Sequence, residues 1–289
     1  MENLKLARRQ YAELIRQRAD LRSERLVDAL SEVAREEYLG PGPWKIMRFA
    51  FPLTYEDTPD ANPARIYDDV FVALDPGRGL NNGLPSAVIR WLDTMRIQVG
   101  EHVVHAGCGT GYYTALIAQM VTASGRVTAI EFAPELADRA RSNLRRYSHV
   151  EVVTGDATKY DPGPADAIFV NAGPTHPCRL WIDSLKMSGR LVFPMIRWPE
   201  VNARDGVAGW GVMMRVERRH SGYAARWLSH CAFFPCFGAI DREADRRLGD
   251  ALARFTLPDA RSLRREEHGL DESCLLHGDG YCFSRLDCL

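Results

Sequence analysis

Glycines and carboxylates in the middle third of the chain are the residues best placed to do chemistry. Val103 to Ala115 reads Val-Val-His-Ala-Gly-Cys-Gly-Thr-Gly-Tyr-Tyr-Thr-Ala, a short apolar run that breaks at Gly107, Gly109 and Gly111 and passes into a helix-like segment, Tyr112 to Val121. A strand that ends in glycines and turns straight into a helix brings bare backbone up to a ligand, because glycine has no Cβ to hold the ligand off. His105, Cys108, Thr110 and Tyr112 belong to the same cradle, with Cys108 as a small filler. A second apolar run, Arg126 to Ile130, ends on Glu131 and Phe132. A carboxylate about 20 residues past the glycines is where a doubly wound fold holds the two hydroxyls of a ribose. The plainer alternative is a solvated acid at the head of the helix that Pro134 and Glu135 open; the glycines upstream favour ribose binding.

Two more runs follow in the same rhythm. Val150 to Val153 stops at Gly155-Asp156-Ala157, where an acid or its neighbouring amides can read an adenine amino group, and Ala165 to Val170 ends in Asn171-Ala172-Gly173-Pro174. Successive strand tips that are polar or rich in glycine fit the crevice outside the carboxyl ends of an open parallel sheet. These residues resemble the class I S-adenosylmethionine-dependent methyltransferases. More narrowly, Ala34 to Leu39, Gly79 to Pro85, the glycine loop, Ala165 to Pro174 and Leu185 to Pro194 resemble the protein-L-isoaspartate O-methyltransferases, over roughly residues 20 to 235. The resemblance implies S-adenosylmethionine as cofactor. NAD is not expected, since the third glycine of its fingerprint is missing.

The stretch Gly79 to Pro85 is where the chain departs from that family. Asn81 stands where the family has threonine, and Gly83 where it has serine, so the family's hydroxyls are absent. Asn81, Asn82 and Gly83 are the candidate substrate clamp, an amide NH2 being able to hold a carboxylate; a plain helix-leading turn is the alternative. His176, in Pro174-Thr175-His176-Pro177, is a candidate base or a loop-packing residue. Tyr55 and Asp57 are further bases if the acceptor has a proton to lose. A carboxylate acceptor needs none, being ionised at neutral pH. Restoring threonine and serine at positions 81 and 83 is expected to leave the fold intact.

The elements that must position these groups follow from pattern and punctuation. The expected fold is α/β: a Rossmann-like doubly wound sheet, mostly parallel with a C-terminal antiparallel hairpin (Gly211 to Arg218 and Ala224 to Phe234), plus N-terminal helices and a C-terminal extension. The division read along the chain is 1–78, helical and lid region; 79–240, cofactor-binding domain; and 241–289, helix and tail. Residues 3 to about 38 suggest two amphipathic helices, Trp44 to Asp69 an irregular lid, Leu180 to Leu185 a helix closed by Gly189, and Asp241 to Phe255 a charged helix.

Charge and cysteine usage narrow the function classes. A net charge of −1 over 289 residues gives no global pull toward nucleic acid or an anionic membrane. Nowhere do eighteen apolar residues follow one another, and a cytoplasmic location is expected. The seven cysteines read as reduced thiols. Cys231 and Cys236, then Cys274, Cys282 and Cys288 with His277 nearby, do not fall into a zinc spacing, so no metal is expected. The leading function is methylation of a protein or peptide carboxylate. A small-molecule or RNA methyltransferase on the same scaffold, or a non-catalytic cofactor-binding protein, is the alternative.

Overall fold

Buried residues Tyr11, Ala12, Ile15 and Ala19 recur at helical spacing among charges, and Glu2–Ala19 (α1) is accordingly a helix with one apolar stripe. In this computed structural model, which describes residues 2–49, 54–198 and 208–288, α1 is followed by Glu24–Glu32 (α2) and Glu36–Leu39 (α3). Ser23 caps α2 by accepting from the Leu26 N–H, and Gly40, at φ +74°, ends α3. Next come Lys45–Arg48 (β1), Glu56–Asp57 (β2), Val70–Asp75 (β3), Leu80–Asn81 (β4) and Pro85–Thr94 (α4). The middle of the chain alternates: His102–Ala106 (β5), Tyr112–Val121 (α5), Arg126–Glu131 (β6), Pro134–Leu144 (α6), Val150–Thr154 (β7) and Ala165–Val170 (β8). Arg179–Asp183 (α7), Leu185–Arg197 (β9), Gly209–Arg219 (β10), Gly222–Phe233 (β11), Arg242–Ala253 (α8), Ser262–Arg264 (β12), Cys274–Gly278 (β13) and Tyr281–Ser284 (β14) complete it.

The chain divides into two compact units, residues 1–101 with 108–154, and residues 102–107 with 155–289. They cut across the three segments read from composition. In the first unit α1 packs on α2 and α4, and α2 on α5, which joins the N-terminal helices to the helix after the glycine loop. The stretch from Trp44 to Asp69 is less irregular than expected. Among its described residues β1 and β2 form, and they enter a four-stranded antiparallel sheet in the order β2-β1-β3-β4; residues 50–53 lie outside the described residues. Trp44, Ile46, Ile66, Val70 and Val72 make a core of their own under it. Arg35, fully buried, holds this region: its guanidinium donates to the carbonyls of Ile66, Asp68 and Val70 at 2.5 to 2.9 Å and lies over the Tyr11 ring. Those bonds satisfy three carbonyls away from water. In the same unit β6 and β7 pair in parallel, Glu131 opposite Thr154.

In the second unit β5, β8 and β9 run parallel, and β9, β10 and β11 continue as the antiparallel hairpin. Every residue of β5 is buried, which is why this strand reads as a continuous apolar run. One local expectation fails here. Gly189 does not close a helix but lies inside the thirteen-residue β9, where the pairing jumps from Ala165 with Leu185 to Ala167 with Arg190. A bulge absorbs the surplus, and Ser188 sits at φ +63° within it. In the C-terminal tail β12, β14 and β13 extend the antiparallel sheet beyond β11, and Leu275, Tyr281 and Phe283 are buried there.

Candidate active site

The glycines of the cradle differ in what they do. Gly107, Gly109 and Gly111 stand at φ +74°, +57° and +95°, a backbone that only glycine adopts without strain. A Cβ on Gly107 would meet the Asn171 carbonyl at 3.0 Å, and one on Gly111 the Leu144 side chain at 2.8 Å, so those two are glycines for close packing. A Cβ on Gly109 would touch only Leu74, at 3.5 Å. That is an ordinary contact, so at Gly109 it is the left-handed backbone and not a clash that calls for glycine.

In the first unit Glu131 is tied to that loop. Its Oε2 accepts from the Gly109 N–H at 2.7 Å and its Oε1 from the Ala133 N–H at 3.0 Å. Burial pushes its carboxyl above the ordinary range, and the backbone N–H groups of Ala133, Gly109 and Phe132 pull it back. With three backbone donors on its two oxygens, the carboxylate keeps one acceptor site for a further hydroxyl. Phe132, next in the chain, is 57% exposed and offers a flat apolar face at the strand tip. Thr110 is buried, and its carbonyl accepts from Asn143 Nδ2 at 2.9 Å, a brace for the loop that sequence reasoning overlooked because it comes from α6. Cys108 is buried, and burial together with Glu131 holds its thiol far above the ordinary value, which suits the filler role. Tyr112 is buried too, beside the Tyr38 ring and under the Arg35 guanidinium, so its side chain serves the core and not a ligand.

In the second unit His105 is also a core residue. Its ring is fully buried against Phe169, centroids 5.4 Å apart, and burial drives its pKa down to about 3. The ring itself is therefore packed in the core, and it is the backbone of this strand end that leads into the glycine loop. Asp156 is spent locally: Oδ1 accepts from the Thr158 N–H and Oγ1 at 2.9 and 2.7 Å, and Lys159 lies 3.4 Å from Oδ2. Despite partial desolvation, the bonds to Thr158 and Lys159 hold its carboxyl below the usual range. Gly155 has nothing within 4 Å of a would-be Cβ; Ala157 follows it at the strand end, half-buried, and the Asn171 N–H caps β5 through the Ala106 carbonyl at 2.8 Å.

The clamp residues have separate tasks. Asn81 Oδ1 accepts from the Gly83 N–H at 2.9 Å, closing a tight turn, and its Nδ2 donates to the Tyr55 hydroxyl at 3.0 Å. Asn82 Oδ1 accepts from the Val72 N–H at 3.0 Å, while its buried Nδ2 has no partner among the described residues. Gly83 sits at φ +75°, with Val88 3.1 Å from where a Cβ would stand. A serine there is strained, contrary to the expectation that the fold accepts the family pattern at this position. Burial raises the Tyr55 phenol, which makes it a poor base near neutral pH.

His176 belongs to the second unit. Thr175 Oγ1 gives its hydrogen to the Ala239 carbonyl at 3.2 Å and accepts from the Asp241 N–H at 3.0 Å. The 3.0 Å contact with His176 Nδ1 therefore has the ring donating, which leaves Nε2 with its lone pair. Burial lowers this imidazole below its ordinary value, against a weaker pull from Asp241, and keeps it neutral.

Residues 8–235 match the family described as Protein-L-isoaspartate(D-aspartate) O-methyltransferase (PCMT). The protein-L-isoaspartate O-methyltransferase of Methanopyrus kandleri is 31% identical over 243 residues, 80% of this chain and 92% of the relative. That of Ignicoccus hospitalis is 30% identical over 219 residues, 74% and 90%. Among solved structures, a protein-L-isoaspartate O-methyltransferase superposes with a TM-score of 0.62 at 19% identity, over 85% of this chain and 69% of the other. A Plasmodium falciparum structure of the same enzyme name, in complex with S-adenosyl-L-homocysteine, gives 0.60 at 16% identity, over 79% and 97%. Fold and family together define an S-adenosylmethionine-dependent methyltransferase with a Rossmann-like α/β sheet, as the glycine loop and strand order implied. The chain belongs to the protein-L-isoaspartate O-methyltransferase family.

Proposed function

We propose that the protein transfers a methyl group to a carboxylate of a protein or peptide, with an isoaspartyl side chain as the first substrate to test and a dedicated peptide carboxylate close behind. The observation that carries the reading is the buried, unpartnered Nδ2 of Asn82 in the segment where the family has its hydroxyls. A buried donor without a partner costs about 1–3 kcal/mol, and a substrate carboxylate is an acceptor that recovers it. Bound S-adenosylmethionine supplies an electrophilic methyl on its sulfonium. Glu131 accepts from a ribose hydroxyl, and Phe132 covers an adenine face. Methyl transfer to a carboxylate already ionised at neutral pH would need no proton removed by the protein, only an acceptor held against the methyl group. That economy fits a clamp whose neighbouring phenol, Tyr55, is hard to ionise.

Among the described residues no helix is long and apolar enough to cross a membrane. Incubation with tritiated donor and a series of isoaspartyl peptide, ordinary peptide and tRNA tests the reading. A product label released as methanol by mild alkali is a methyl ester and supports it. An alkali-stable label, or transfer to tRNA alone, sinks it.

A further inference from the structure

The structure gathers His268, Cys274, His277 and Cys282 so that one ligating atom from each lies within 4.8 Å of all the others. All four follow the residues that match the family, which end at 235. Linear spacing hid the set. His277 and Cys282 are direct cross-strand partners in the β13–β14 hairpin and so share a face. Cys274, three residues before His277, belongs on the opposite face of a regular strand. The register irregularity between Cys274 and Leu276 returns it to the face of His277. His268 arrives from the loop before β13, its ring at 84° to that of His277 with centroids 4.9 Å apart.

We propose that this Cys2His2 set binds a divalent zinc ion as a closed structural site. Tetrahedral coordination with Zn–S of about 2.3 Å and Zn–N of about 2.0–2.1 Å separates the donor atoms by about 3.3–3.8 Å. The His268 Nε2 to Cys274 Sγ distance is already 3.6 Å, and the widest separation of 4.8 Å closes with a shift of about an ångström. Groups around the set orient it as outer partners of a metal do. His268 Nδ1 donates to the Glu266 carbonyl at 2.8 Å, which fixes the tautomer that leaves Nε2 free to ligate. The Asp271 N–H reaches Cys274 Sγ at 3.5 Å, and His277 Nδ1 is buried with no protein partner among the described residues. Asp271 itself is engaged by Ser273 and Arg264, leaving the nitrogen and sulfur donors to complete the shell. Four protein ligands with no open position mean a structural and not a catalytic ion.

There is a mechanical reason for an ion at this place. Strands β12, β13 and β14 have three, five and four residues, and the segment from Arg265 to Ser273 carries no regular structure. So little secondary structure buries a small core, and metal ligation is a common staple for such pieces. The tie also secures the turn between β13 and β14. Gly278, Asp279 and Tyr281 of that turn line a cavity of about 350 Å³ together with His176, whose ring lies parallel to that of Tyr281 at 6.4 Å. Ordering this turn therefore bears on the His176 loop.

The test uses the full chain, expressed in zinc-supplemented medium and freed of loosely held metal by gel filtration. Elemental analysis is expected to find about one zinc per chain. Replacement by cobalt(II) should give the intense visible bands of a tetrahedral thiolate complex. Cys274→Ser with Cys282→Ser should abolish both signals, while Cys231→Ser and Cys288→Ser keep them. Since the double variant can lose solubility, chelation of the unaltered protein is the second measurement: removing the ion should lower Tm, and adding zinc should restore it. Zinc well below one equivalent, retention of zinc by a folded double variant, or a Cys274–Cys282 disulfide found by mass spectrometry without reductant would each overturn the proposal.

Discussion

The Gly109 N–H donates to Glu131 Oε2 at 2.7 Å, so the left-handed glycine of the loop and the acid at the tip of β6 are fastened to each other. The same carboxylate braces the chain reversal after β6 through the Ala133 N–H. Its position is thus set before any ligand arrives, and preorganisation of that kind lowers the cost of binding.

Glu131→Ala removes the acceptor for the ribose and the brace for the loop together. S-adenosylhomocysteine affinity should fall by about 2 kcal/mol, more than about tenfold in Kd, by calorimetry. An unchanged Kd would place the ribose elsewhere. Stabilisation of the unaltered protein by S-adenosylhomocysteine but not by NAD, in a thermal shift experiment, is the companion result.

Asn82→Asp separates the two ends of one side chain. The carboxylate still accepts from the Val72 N–H, as Asn82 Oδ1 does at 3.0 Å, but the NH2 donor becomes a negative charge. The buried charge should lower stability in urea unfolding, and in the folded fraction kcat/KM for a carboxylate acceptor should drop by about a hundredfold, the worth of a lost charge-assisted bond plus repulsion. Equal activity in both proteins would remove Asn82 from the substrate site.

Changing the clamp toward the family pattern should fail. Gly83→Ser forces a side chain into φ +75° with Val88 3.1 Å from its Cβ, and costs about 1–2 kcal/mol of stability in urea unfolding. Asn81→Thr loses the amide that donates to Tyr55. The double variant is expected to unfold earlier and to gain no isoaspartyl activity. A gain would show that the missing hydroxyls alone limit the reaction.

His105 sets an acid limit on the fold. Burial holds it neutral down to about pH 3, whereas in the unfolded chain it protonates near pH 6.5. Its folded pKa is depressed, so its contribution is complete above about pH 6.5 and shrinks as pH falls toward 3, by up to about 1.4 kcal/mol per pH unit. His105→Gln should flatten the dependence of Tm on pH in that window. Parallel curves for the two proteins would mean that another group carries the acid sensitivity.

The sequence by itself determined the parallel strands, the glycine loop, the acid at position 131 and the charged helix α8. Their signals are local: continuous apolar runs bounded by glycine, a carboxylate at a strand tip, and Asp241 accepting from the Ala244 N–H as a helix cap. Tertiary structure alone decided what depends on partners far along the chain. Asn82 is structural at one end because of Val72, His105 is core because Phe169 lies on its ring, and Gly107 must be glycine because of Asn171. In the sheet of β1 to β4, β2 and β4 have two residues each, too few to show a period, and pairing with β1 and β3 is what makes them strands. The four proposed metal ligands lie within residues 268 to 282 but at no regular spacing, and cross-strand register with one irregularity brings Cys274, His277 and Cys282 to a single face. Spacing along a chain encodes neighbours within one helix or strand, whereas pairing between strands is chosen by the folded core.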